Sequence, residues 1–328
     1  MKSLIFAFEA VSPIIITVVI GFLLKKIGLI SIDLSKKLNK LVFRVFLPVL
    51  LFKNIYSIES IAMLDFGYVI YSVVAVGVLF GLGIPPVIFL TDKKKCRGAL
   101  LQSIFRSNYA LIGIPLATEL FGAEGAAVAT LLSAFVVPTF NVLAVIGLSL
   151  FNNSGEKIKL KKVLMGILKN PLIIGIVIGL ATLGVRALLK TADIGFRLDS
   201  VSVIWKPLNN LSVIATPLAL LALGAQFEFS AIPTLKREIL SGILLRCLAV
   251  PVLGIGIAYL IFRETFGGAQ FAALVAVFCT PVAVSSVPMA QEMGADTELA
   301  GQLVVFTTMI SGFTVFIASF LLKAAGIF

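Results

Sequence analysis

The chain has 328 residues, 59% hydrophobic and only 13% charged, with 27 Lys and Arg against 16 Asp and Glu for a formal net charge of +11. Soluble domains carry about 25% charged residues and their cores stop growing near ~250–300 residues, so apolar surface on this scale requires a bilayer as solvent. With no histidine, Ser-His-Asp hydrolysis, HExxH zinc chemistry and His-ligated haem are excluded, and no GxxxxGK[ST] loop is present for nucleotide hydrolysis.

At ~20 apolar residues per crossing, the pattern predicts an all-α polytopic membrane protein of ten transmembrane helices. The N-terminal run 4–24 is too long for a signal h-region and has no small-residue cleavage site, so it reads as the first span. Spans follow at 38–57, 66–90, 98–119 and 124–150, then at 170–189, 207–227, 238–262, 269–292 and 298–322. The stretch 186–206, which holds the single Trp205, is a connection.

The basic residues lie between these runs, which marks a topology signal and no nucleic-acid partner. Loops after odd-numbered spans hold Lys25, Lys26, Lys36, Lys37 and Lys40, then Lys93–Lys95 and Arg97, then Lys157, Lys159, Lys161, Lys162 and Lys169, and finally Lys236 and Arg237. They outnumber the basic residues of the opposite side two to one. Positive-inside bias then places these loops in the cytoplasm and both termini outside, as expected in a bacterial inner (plasma) membrane. Cys96, Cys247 and Cys279 show no CxxC spacing and read as apolar fillers.

Five spans per half is an odd number, so two related halves would be inverted in the bilayer. Residues 106–124 and 279–296 support that relation: setting Pro115 on Pro288 aligns Ala117 with Ala290 and Glu119 with Glu292. After a one-residue gap, Gly122 and Glu124 meet Gly294 and Asp296. Proline removes a helix hydrogen bond, and freed backbone groups survive in hydrocarbon only beside protein or a watery cavity. Paired interrupted helices in inverted repeats therefore mark a midplane binding site. Pro suits the first turn of a helix, so second half-helices are expected to start at Pro115 and Pro288, with N-terminal dipoles that favour an anion.

Polar side chains gather at these breaks. Ser107, Asn108 and Tyr109 precede the first; Thr280, Pro281, Ser285 and Ser286 accompany the second; Asn141 sits in the middle of span five. Asn108 can both donate to a carboxylate and accept, whereas Ser and Thr can also bond back to their own helix. Arg106 is costly in a membrane: it serves anion attraction in the cavity, pairs with an acid, or snorkels to the edge. Arg44 and Arg246, nearer span ends, are expected to snorkel. Glu119 and Glu292 end the broken spans and read either as proton or cation ligands or, the better reading, as acids solvated at the interface; Glu9 and Asp65 also fall close to span ends.

The stretch LNKLVFRVFLPVLLF (38–52), with SNYALIGIPL (107–116) and the P-x6-P-x3-E pattern of span nine, resembles the auxin efflux carrier family along the whole chain. That resemblance implies two inverted five-helix repeats, as in the wider bile-acid and sodium symporter superfamily, with broken helices 4 and 9 crossing at their prolines. Residues 1–150 would form the first repeat, 151–169 a short cytoplasmic linker and 170–328 the second repeat. Helices 1, 2, 6 and 7 would be a scaffold, and helices 3–5 and 8–10 a transport part. The family's members carry small organic anions, bind a carboxylate beside the crossing, move it by an elevator-like shift and usually act as dimers.

Asn108 matches the family's substrate-binding asparagine, Pro115 the adjacent proline, and Asn141 a site-lining position in span five. In the plant carriers the ninth span offers an amide where this chain has Thr280, Pro281, Ser285 and Ser286, so a small organic anion fits better than auxin. No cofactor or metal is implied, and the coupling ion, H+ or Na+, is left open. The alternatives are a sodium- or proton-coupled cation exchanger on a related fold, which needs midplane acids, and an intramembrane enzyme, which lacks both paired carboxylates and a GxGD motif here.

Overall fold

A computed structural model describes residues 13, 16–57, 66–151, 169, 171–227 and 232–328. The start of predicted span one, most of the predicted linker 151–169, and the acids Glu9 and Asp65 lie outside the described residues. Among the described residues all regular structure is helical, apart from one isolated antiparallel bridge between Ser107 and Val282.

Residues 16–26 are helical. Ser31 then caps α1 (Ile32–Leu41) by accepting the Leu34 N–H at 3.0 Å, and a π turn at Val42–Phe46 leads into α2 (Leu47–Tyr56). α3 (Phe66–Leu90) is followed by α4 (Lys94–Phe105), which stops short. The chain resumes as a π turn at Tyr109–Gly113 and continues as α5 (Ile114–Phe151), bent at Phe121 and Gly122. After α6 (Pro171–Thr191) and a single 3-10 turn at Leu198–Ser200 comes α7 (Ser202–Gln226). α8 (Ile232–Leu244) passes through a π turn at Leu245–Ala249 into α9 (Val250–Phe262). α10 (Gly268–Phe278) and the short α11 (Ser286–Glu292) are separated by an extended stretch, and α12 (Thr297–Ala324) ends the fold.

The three π turns share a cause. Each ends two residues before a proline: Pro48, Pro115 and Pro251. Proline cannot donate to the preceding turn, and a wider turn re-routes the neighbouring hydrogen bonds around the gap. In the second case the Ile114 N–H reaches back five residues to the Tyr109 carbonyl. This corrects the expected restart at Pro115: the second half-helix begins at Tyr109, and Pro115 falls in its second turn.

Six helices among the described residues are long and apolar enough to cross a membrane: Gly67–Leu90, Glu124–Phe151, Pro171–Thr191, Ser202–Gln226, Ile232–Phe262 and Thr297–Ala324. Their outward faces are apolar. On α3, Ile70, Val74, Val78 and Leu82 recur every four residues and are all at least half exposed, a stripe that water would not tolerate and hydrocarbon accepts. The interior is instead built around the two interrupted helices. Every residue of α4 from Gly98 to Phe105 is buried, as are nearly all of α10. α10 lies along α5, α4 lies between α3 and α5, and α2 packs along α6.

Two glycines end the interrupted helices. Gly122 (φ 59°) and Gly294 (φ 72°) adopt positive φ, where a side chain is strained, and each turns the chain into the next long helix. Asp296 caps that helix in the second case, accepting the Leu299 N–H at 2.8 Å. Elsewhere Gly224 permits close packing, since a Cβ there would stand 1.9 Å from the Val18 carbonyl oxygen.

Candidate functional site at the crossing of two interrupted helices

The two breaks meet. After Phe105 the chain is extended at Arg106; Ser107 pairs with Val282, and the Asn108 N–H donates to the Pro281 carbonyl at 2.7 Å. The Val282 N–H donates to Thr307 Oγ1 of α12 at 3.1 Å. Main-chain groups released by each break are thus satisfied by the other break or by a neighbouring helix, as burial demands.

Some carbonyls at the ends of α4 and α10 would still be orphaned. Pro281 has no N–H to give the Val277 carbonyl, and the Asn108 N–H is committed to Pro281 rather than to Ile104. Arg246 fills both vacancies: its Nη2 donates to Val277 O at 2.9 Å, its Nη1 to Ile104 O at 3.2 Å, and its Nε to Thr280 O at 2.8 Å. The side chain is 1% exposed, so the expectation that Arg246 snorkels is wrong. The π turn at Leu245–Ala249 aims it inward, and its acceptors come from two other helices, which no local pattern announces. Arg44 does stay exposed, and pairs with Glu292 at 3.1 Å.

Arg106 holds the opposite side of the crossing. It is 2% exposed; Nη1 donates to Gln102 Oε1 at 2.8 Å and contacts the Met289 sulfur, while Nη2 donates to Asn141 Oδ1 at 2.9 Å and Ser285 Oγ at 2.8 Å. Asn141 is oriented by its own Nδ2, which donates to Val137 O at 2.8 Å. Among the described residues, no carboxylate pairs with Arg106 or Arg246. Of the three sequence-level options for Arg106, pairing with an acid and snorkelling are therefore not what the structure contains.

A cavity of about 70 Å³ opens beside Arg106. One wall is polar: Arg106, Ser107, Asn108, Asn141 and Ser285. The other is mainly apolar, from Leu47, Leu50 and Leu51 of α2, Leu172 of α6, and Ala215 and Ala219 of α7, with Thr216 its one hydroxyl. Ser107 Oγ and Asn108 Nδ2 are buried and have no hydrogen-bond partner. Buried polar atoms rarely stay unpaired without a role, and these two belong to residues that line the cavity beside the Arg106 guanidinium. A larger hollow of about 580 Å³ between α8, α9 and α12 is lined almost wholly by apolar side chains and offers no comparable chemistry.

The candidates named from sequence divide accordingly. Arg106, Ser107, Asn108, Tyr109, Asn141 and Ser285 line the cavity, although the Tyr109 hydroxyl is committed to Ala129 O at 2.9 Å. Pro115, Thr280, Pro281 and Ser286 do not line it. Pro115 faces outward because the helix restarts six residues earlier. Thr280 bonds back to Ala276 O at 2.7 Å, Pro281 contributes its carbonyl to the bridge, and Ser286 is buried with its hydroxyl unpaired. Gln102 and Met289, which position Arg106, escaped the sequence reading; the i, i+4 spacing of Gln102 and Arg106 is the signal that could have found the first.

Comparison with known proteins finds relatives among membrane transporters. The chain is 23% identical to an uncharacterized transporter of Methanothermobacter thermautotrophicus over 311 residues, 92% of this chain and 94% of the relative. It is 28% identical to an uncharacterized transporter of Methanocaldococcus jannaschii over 231 residues, 68% of this chain and 70% of the relative. The profile of the family described as "Membrane transport protein" matches residues 6–319. The chain therefore belongs to that family, the auxin efflux carrier family its motifs resemble, and is a multi-pass membrane protein.

Proposed function

We propose that the protein is a secondary carrier of small organic anions, built of ten spans in two inverted five-helix repeats. The observation that carries this reading is the cavity at the crossing. The buried Arg106 guanidinium, which no carboxylate among the described residues neutralises, makes that wall positive, and Ser107 and Asn108, whose Oγ and Nδ2 have no partner, line it as well. Uncompensated buried charge is costly, and a carboxylate would neutralise it while accepting those hydrogen bonds. The apolar wall of Leu47, Leu50 and Leu172 suits a short hydrocarbon body.

The repeat is supported by the matched glycines, Gly122 and Gly294, which share positive φ at corresponding ends of the interrupted helices. An elevator-type movement is supported by the position of the cavity, between the crossing and the α2, α6 and α7 group. Among the described residues the polar contacts between the crossing helices and the α1–α2 span sit at one end: Arg44 to Glu292, Asn39 Nδ2 to Gln291 Oε1 at 3.2 Å, and Gln291 Nε2 to Lys36 O at 2.8 Å. The dimeric state, the extracytoplasmic termini and the inner-membrane setting belong to this reading as the family resemblance and the basic loops imply them. A cation exchanger needs carboxylates where this crossing carries arginines.

The test is counterflow in liposomes reconstituted with the purified protein. Vesicles loaded with unlabelled mono- or dicarboxylates should accumulate the labelled acid from outside. If no acid exchanges, while a sodium gradient alone changes the internal pH, the carrier reading fails in favour of the exchanger.

A further inference from the structure

Arg246 is not spent on the cavity. It lies across the crossing from it, buried, with three main-chain carbonyls as its partners: Ile104 at the end of α4, Val277 at the end of α10, and Thr280 in the break that follows. Helix C-termini carry partial negative charge, and two of them converge here with their last carbonyls unmatched by any backbone N–H. Carbonyl oxygens released from broken helices are the ligands by which membrane carriers hold a coupling cation, and oxygen clusters of this kind suit hard cations. Here a guanidinium fixed to the chain occupies the position.

We infer that Arg246 is a built-in cation that takes the place of a coupling sodium ion at the crossing, so that the protein assembles its anion site without binding sodium. The five donors of a guanidinium, rigidly placed, can serve carbonyls from two helices at once. Its charge repels a second cation from the same oxygens and adds to the positive potential that faces the cavity on the side of Arg106. No carboxylate among the described residues neutralises it. The helix termini themselves balance the charge, which explains how it persists in the interior. For its consequence in transport this inference rests on the organic-anion reading, whereas its physical core does not.

The test uses the purified full-length protein and needs no substrate. Wild-type melting midpoints should be the same in sodium, potassium and choline chloride at equal ionic strength; a rise specific to sodium overturns the inference. Arg246→Ala should melt lower, and millimolar guanidinium chloride should raise its midpoint saturably, as a bound ligand does, while equal urea should not and the wild type should not respond. Urea offers similar donors without charge, so rescue by urea, or an Arg246→Ala midpoint equal to wild type, counts against a cation role. If Arg246→Ala cannot be purified folded, Arg246→Lys carries the second arm: it should fold and stay insensitive to sodium, and a sodium-specific rise in it overturns the inference. Failure of the anion-carrier reading would show as absent counterflow with all of these melting results intact.

Discussion

Asn108→Ala separates binding from stability. Asn108 is 5% exposed, and its Nδ2 has no partner. Its main chain donates to Pro281 O, a bond that alanine keeps, and its backbone at φ −80°, ψ 54° has the negative φ that alanine readily adopts. Removing the amide therefore breaks no existing Nδ2 hydrogen bond and relieves an unsatisfied buried donor, whose desolvation costs about 1–3 kcal/mol. What disappears is the donor that the proposed anion would use: a hydrogen bond to a charged acceptor is worth about 1.5–3 kcal/mol, which is roughly a tenfold to 150-fold change in Kd. Thermal melting in detergent should show an unchanged or raised midpoint for the variant, and titration with the transported acid should show the loss of affinity. A midpoint several degrees lower would make Asn108 a structural residue, and an affinity within twofold of wild type would refute its contact with the anion.

Three further outcomes follow from the packing and the loops. Gly224→Ala places a Cβ 1.9 Å from the Val18 carbonyl oxygen; backbone cannot rotate away as a side chain can, so overpacking should cost about 1–3 kcal/mol, seen as a lower melting midpoint. Gly122→Ala meets no atom within 4 Å, yet φ 59° with ψ −146° is open essentially to glycine alone, so about 1–3 kcal/mol should be lost through the backbone by the same assay; an unchanged midpoint would contradict the bend. In the α6–α7 connection, Arg197 donates to both oxygens of Asp199, at 2.9 and 2.6 Å, and this hydrogen bonding holds the Asp199 carboxyl below its ordinary range. A depressed carboxyl stabilises the fold above its unfolded pKa of about 3.9 and loses that contribution as pH falls through the folded value. Asp199→Asn should accordingly cost under about 1 kcal/mol near neutrality, because the pair is partly solvated, and the difference from wild type should vanish in acid.

Much of the fold is legible in the chain because a bilayer makes two demands that composition records directly: long apolar runs and basic loops on one side. The breaks were legible for the same reason, since Pro115 and Pro288 sit inside apolar runs where a lost hydrogen bond is expensive. Their exact position was not. The restart at Tyr109 depends on a π turn that accommodates Pro115 from upstream, and the wider turn has no composition of its own. Asn108, Asn141 and Arg106 could be singled out because polar groups in an apolar span need partners. The role of Arg246 could not, because its three acceptors are main-chain oxygens on other helices and carbonyls are invisible in a sequence. Thr280 and Ser285 look alike as small hydroxyl residues near one break, yet one bonds back to its own helix and the other accepts from Arg106; only the direction of each side chain separates them.

If the positive crossing receives the negative charge of its guest, charge and not shape decides what binds. That is tested most directly by comparing the binding of small carboxylates with that of their neutral amides to the purified protein by thermal shift. An acid should raise the melting midpoint saturably, its amide of equal size should not, and Arg106→Gln should abolish the difference. Equal stabilisation by acid and amide would contradict the role of charge.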